Sequence, residues 1–412
     1  MPLKRLASTI EAVKSYPFFS APHRVMFAAG TFQAVVAMAL WAWDVGGRYA
    51  GLWSAHVWPF PSAWLHAMVM IYGVFPFFVF GFILTAGPRW QGGRELERWE
   101  FIPAFLLLVV GWGAFYLTLW GDRPVGYPLL VVMLGWLLVA KVLWGIAVLP
   151  GGDRTHIRIM VLAVGCGIAG LACAVALTFD PEYRWGRPMV VLGIWGFLLP
   201  IFAGVGHRMI PFFSSAKIPG YTVYSPLWAI RFLVLASFLH GVLEWLGMAA
   251  WTWMVDFPAA SCVFFLSWRW KFGASLSSSL LAVLHIGFAW LGIALLLFAV
   301  RSTGEWFNIQ IFGLAPLHAL TIGYFASTAV GMVSRVTRGH SGRPVIGDPV
   351  MIAAFSLMQL AALLRILGEF APVPGAASPM FAAAVAWLLA FCLWAAMYFP
   401  IYLRRRADGR PG

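Results

Sequence analysis

Two histidines stand in nearly matched phrases, Trp64-Leu65-His66-Ala67 and Pro316-Leu317-His318-Ala319, and each phrase opens a long apolar segment. An imidazole inside hydrocarbon is costly unless another group pairs with it. Two kinds of partner meet that need: a metal or haem iron, and a hydrogen-bonding group on a neighbouring helix. His66 and His318 each lie about one turn below the outer surface, on helices that run in the same direction. Packed side by side, such helices could clamp a haem between opposed imidazoles, so both residues are candidate axial and metal ligands.

A second polar group lies at the other depth. His23 precedes the first apolar segment, and His207 sits in Gly206-His207-Arg208-Met209-Ile210-Pro211-Phe212-Phe213, where Pro211 is expected to end the helix. His285 and His340 complete the set, with His207 and His285 as candidate metal ligands. With Met209 or Met332, these imidazoles could form a copper site, since imidazole and thioether both suit copper. Arg335 and Arg343 could grip haem propionates or quinone oxygens, or meet lipid phosphates. Near the outer face Glu244 follows His240 by one helical turn, which makes them a candidate catalytic pair for proton handling. Asp256 is a further charge within an apolar stretch. The four cysteines form neither CxxC nor CxxCH, so any haem would be a non-covalent b-type group.

The elements that must position these residues are membrane helices. Of the 412 residues 62% are hydrophobic and 10% charged, the composition of an integral membrane protein. Windows of about 20 apolar residues predict twelve spans. These fall near 24–43, 63–87, 102–120, 125–149, 157–178, 189–208, 227–248, 253–268, 278–300, 312–334, 349–368 and 380–402. Lys and Arg divide unevenly between the two sets of loops: one side receives only Arg48, Arg123, Arg184, Arg187 and Arg301. The positive-inside rule then puts both termini in the cytoplasm and requires an even number of spans. The expected organisation is a basic N-terminal segment (1–23), one twelve-helix domain (24–403) and a basic tail (404–412). The net charge of +13 therefore reads as topology and gives no reason to expect nucleic acid as a partner. No Walker motif, dinucleotide fingerprint or nucleophile elbow is present.

The ordered phrases Ser20–Arg24, Leu65–Ala67, Gly81–Trp90, His207–Phe213, Leu284–Phe288, Pro316–Gly323 and Arg335–Pro344 resemble the NnrS family of membrane proteins. The resemblance implies a twelve-span bacterial inner-membrane protein associated with haem and copper, in the setting of denitrification and nitric-oxide stress. The family's His-x-His-Glu pattern in span two is incomplete here: Met68 and Val69 follow His66 where a second histidine and a glutamate would stand. A looser analogy holds with haem-copper oxidases and nitric-oxide reductases, which carry metal-binding histidines on spans two, six, seven and ten. This chain has His66, His207, His240 and His318 on those spans. The leading expectation is a haem-binding, possible copper-binding redox protein acting on or protecting against nitric oxide. Its partners would be membrane lipid, nitric oxide or another diatomic, and quinol or an external electron donor. The alternatives are a transporter of haem, copper or a small anion, and a non-catalytic membrane sensor.

Overall fold

The computed structural model describes residues 17–121, 124–151, 154–370 and 378–409; residues 1–16, most of the expected N-terminal segment, lie outside them, as do Arg123 and Arg410. The described residues are helical with no strand. Eleven helices are long and apolar enough to cross a membrane. They are α1 (Pro22–Arg48), α2 (Ser62–Trp90), α3 (Arg98–Leu119), α4 (Gly126–Ala147), α5 (Arg154–Leu177), α6 (Gly186–Ser215) and α7 (Leu227–Trp245), followed by α9 (Ser279–Trp306), α10 (Ala315–His340), α11 (Pro349–Leu367) and α12 (Pro379–Leu403). Between α7 and α9 lies α8 (Trp253–Arg269), 17 residues long, at the lower limit for crossing a bilayer core of about 30 Å.

Hydrogen bonds at the chain ends show that α8 also crosses. Arg24 Nη1, at the start of α1, donates to the carbonyls of Tyr402 (3.1 Å) and Arg404 (2.9 Å) at the end of α12. The first helix begins and the last one ends on the same face, so the number of crossings is even. α8 itself spans the length of α7: Trp270 Nε1 donates to Tyr224 O (2.8 Å) at one end, and Asp256 meets His240 at the other.

The twelve helices form three arcs of four. Sequential neighbours pack in the orders α3-α4-α5-α6, α7-α8-α9-α10 and α11-α12-α1-α2. Each arc ends on a helix at the centre of the bundle: 89%, 89% and 78% of the apolar core of α2, α6 and α10 is buried, against 39–61% for the other long helices. The same three helices each contain a π-helical stretch, at Val69–Val74, Leu192–Leu198 and Ala319–Ala326. In two of them a proline follows the stretch, Pro76 and Pro200, and removes an i→i−4 bond that a regular helix would make. In α10 the wide turn is tied instead by Ser327, whose hydroxyl donates to Ile322 O (3.2 Å).

A glycine in the π stretch lets the central helices approach their neighbours closely. At Gly323 an added Cβ would come within 2.6 Å of the Trp290 ring, whereas at Gly113 on α3 it would meet nothing within 4 Å. Gly323→Ala is therefore expected to destabilise the bundle by about 1–3 kcal/mol through overpacking. Gly113→Ala should be neutral or raise stability by up to about 1 kcal/mol through helix propensity. Thermal unfolding of the two variants in one detergent checks the contrast.

Candidate functional site

The two matched histidines meet at one cavity. It lies on the face opposite the chain termini, has a volume of about 460 Å³ and is lined by α1, α2, α6, α10, α11 and α12, with Glu244 from α7. His66 precedes the π stretch of α2 by three residues and His318 immediately precedes that of α10, a local geometry common at functional sites. Both rings are half-buried and line the cavity. The His66 ring stacks on Trp41 at 4.0 Å between centroids. His318 Nδ1 donates to the Leu314 carbonyl at 2.9 Å, which fixes the tautomer and leaves Nε2 with a lone pair. Most of the remaining wall is apolar, from Met38, Met70, Phe75, Ile322 and Trp387. Two guanidinium groups interrupt it. Arg365 of α11 pairs with Glu369 just beyond that helix, and Arg187, exposed at the mouth, donates to the Glu244 carbonyl.

Glu244 connects this cavity to a buried polar chain. Its Oε1 lies 3.6 Å from His240 Nε2 and 3.6 Å from Arg301 Nη2. His240 Nδ1 is 2.7 Å from Asp256 Oδ1, with both side chains 1% exposed. The imidazole stacks on Trp195 at 3.5 Å between centroids. Asp256 Oδ2 has no hydrogen-bond partner and borders a void of about 10 Å³ walled also by Trp195 and Ser237, roughly the space of one water. The i,i+4 spacing makes the contact of His240 with Glu244 legible in the sequence. Asp256 has no such register, since it sits on the next helix. Its one signal is an acid inside an apolar span.

A model of the NnrS protein family matches residues 17–406. The chain belongs to the NnrS family. No curated protein matches it. Within this NnrS-family fold, the incomplete span-two motif has a structural reading: Met68 and Val69 are buried in helix packing and absent from the cavity wall.

The four histidines expected to share a second site fall into different pairings. His23 lies against His340, ring centroids 4.6 Å apart, and its backbone N–H donates to Thr85 Oγ1 (3.2 Å). His207 Nδ1 is 3.1 Å from Nε2 of His156, a residue the sequence reading left out, and Pro226 O lies 3.1 Å from its Nε2. His285 Nε2 is 3.0 Å from Ser214 Oγ. Among the described residues no group of three or more His, Cys, Asp or Glu is arranged to hold a metal. Of the two arginines, Arg335 packs over Phe213 at 3.8 Å and borders a second cavity. Arg343 lies half-buried beyond α10, outside that cavity's wall, with Nη1 buried and without a partner. Pro211 does not end α6 as expected: the helix runs to Ser215. The His207 carbonyl that Pro211 cannot bond accepts instead from Ser225 Oγ (3.1 Å).

The buried His240–Asp256 contact makes a stability prediction. His240→Leu strands the Asp256 carboxylate in an apolar site, at a cost of about 3–5 kcal/mol. His240→Leu combined with Asp256→Leu should recover at least about 1 kcal/mol of that loss. A double-mutant cycle by thermal unfolding reads the coupling, and additive losses would show that the two groups do not interact.

Proposed function

We propose that this NnrS-family chain is a membrane redox protein that binds haem and acts on, or protects against, nitric oxide. One observation carries the reading: His66 and His318, on the central helices α2 and α10, line the same cavity. Its volume of about 460 Å³ falls in the usual range of about 300–1,000 Å³ for small-molecule and cofactor sites. The residues fit a non-covalent haem b. His318 presents Nε2 because Nδ1 is committed to Leu314 O, and Trp41 holds the plane of the His66 ring. Arg187, at the mouth of the cavity, is the cation that would receive a propionate; Arg365 is already held by Glu369. When bound, haem supplies one-electron transfer and an iron centre suited to diatomic ligands.

The chain's own residues supply the proton side. Glu244 borders the cavity and reaches His240, which Asp256 holds in place from α8. Asp256 meets Nδ1 of His240 at hydrogen-bond distance, and Glu244, 3.6 Å from Nε2, is the group placed to exchange a proton between the imidazole and the cavity. Nitric oxide reduction consumes protons and electrons, so this pairing suits a reductase-like reaction, with quinol or an external protein as electron donor. The excess of Lys and Arg on the terminal face supports cytoplasmic termini in a bacterial inner membrane. Copper has a poorer seat: the two-histidine contacts at His23–His340 and His156–His207 fall short of a three-ligand centre, and no step is assigned to it.

A second reading, transport of haem, copper or a small anion, is favoured by one feature. A second cavity of about 490 Å³ lies at the opposite ends of α2, α6 and α10, as expected when access alternates between two faces. Tight retention of the cofactor distinguishes the two. Protein purified from haem-replete cells is expected to show b-type haem absorbance, and His318→Ala should remove most of it. A wild-type preparation without haem or any transition metal overturns the redox reading.

A further inference from the structure

The cavity on the terminal face is built around a cation that has no anion. Its wall combines Thr85, Arg89 and Trp90 of α2 with Met209, Phe212 and Phe213 of α6 and Arg335 and His340 of α10, and Arg406 closes it from the chain end. Two of its three guanidinium groups are already neutralised. Arg89 pairs with Glu95 at 2.5 Å, and Arg406 with Asp408 at 2.6 Å. Arg335 is 8% exposed and packs over the Phe213 ring at 3.8 Å, and it forms no salt bridge with a carboxylate among the described residues. A buried guanidinium left unpaired is strongly unfavourable, and a ring face replaces only a small part of its solvation.

From this we propose that the cavity binds the phosphate of an anionic phospholipid, with the headgroup at Arg335 and the acyl chain along the apolar wall. Arg335 lies little more than one turn before the end of α10, which is headgroup depth on that face. Phe212, which lines the cavity near the end of α6, is 60% exposed, an apolar ring left open for an acyl chain to cover. One uncompensated positive charge matches the single negative charge of a phosphodiester such as phosphatidylglycerol. A choline headgroup would bring its own cation and so leave the charge of Arg335 without a net counter-charge. The site is separate from the His66–His318 cavity, and its test does not depend on haem.

The test is native mass spectrometry of the full-length protein released from vesicles of equal parts phosphatidylglycerol and phosphatidylcholine. The wild type is expected to retain one phosphatidylglycerol with a preference of about tenfold. Arg335→Gln should bring the preference close to unity, and Arg335→Lys should keep most of it. Inorganic phosphate is then added to the wild type. If the lipid stays bound, lipid is the source of the phosphate group. If phosphate displaces it at millimolar concentration, the phosphate site stands and the lipid assignment falls. Equal retention of both lipids by the wild type overturns the proposal, as does an unchanged preference in a folded Arg335→Gln. Should Arg335→Gln fail to fold, the wild-type comparison of the two lipids decides alone.

Discussion

Hydrocarbon offers no hydrogen bonds, so each polar group carried into the membrane must find its partner within the protein. That constraint orders this bundle. Trp290 Nε1 donates to Gln359 Oε1 at 2.7 Å, Gln359 Nε2 to Ser327 Oγ at 2.7 Å, and Ser327 in turn ties the wide turn of α10. Tyr72 in the π stretch of α2 donates to Met189 O on α6 at 2.6 Å, fastening one arc to the next. Tyr398 and Arg338 converge on Asp348 at 2.6 and 3.0 Å, joining α12, α10 and the start of α11. Each link crosses between helices whose apolar surfaces alone would not choose one register over another. Beside these matched groups, the imidazoles of the outer cavity and the guanidinium of Arg335 line cavities, and ionisable groups so placed within a membrane mark function.

The three arcs explain where those exceptions fall. Only the last helix of each arc reaches the centre, and only there does a π stretch turn the residues before it toward the middle of the bundle. α2 and α10 carry histidine at that position, whereas α6 carries Met189, Val190 and Val191. A three-arc frame thus presents two imidazoles and one apolar side to a shared space, with α6 contributing Arg187 at its rim. The two Leu-His-Ala phrases are the part of this arrangement visible in the sequence. The third member is silent in sequence because it has no histidine.

How much of this could be read beforehand depended on whether depth or direction was at issue. Hydropathy gave the spans, charge gave an even count, and depth paired His66 with His318. Direction around the helix axis was inaccessible. His23, His207, His285 and His340 share a depth, yet only His23 and His340 meet, while His207 faces His156 and His285 faces Ser214. Pro211 illustrates a different failure. Local chemistry says that a proline interrupts a helix, but the hydroxyl of Ser225, 18 residues beyond His207 in sequence, satisfies the His207 carbonyl and lets α6 continue. Glu244 was legible because its partner lies one turn away, and Asp256 was not because its partner lies on another helix.

The proximity of the outer cavity to the Glu244–His240–Asp256 chain has an electrostatic consequence. Arg365 is balanced by Glu369, and Arg301 is shared between Glu244 and Glu305, at 3.6 and 3.8 Å. Charge around the cavity is therefore close to compensated before any ligand enters. At an effective dielectric of about 20, one added electron acts on a group about 10 Å away with roughly 1.7 kcal/mol, more than one pKa unit. Glu244 lines the cavity, so its carboxylate and the His240 imidazole behind it would feel such a charge first. Were haem bound there as proposed, an electron arriving in the cavity would draw a proton toward Glu244, and an electron leaving would release it. Stacking on Trp195 and the contact with Asp256 hold the imidazole behind Glu244, so a coupling of that kind would need no large motion of the helices.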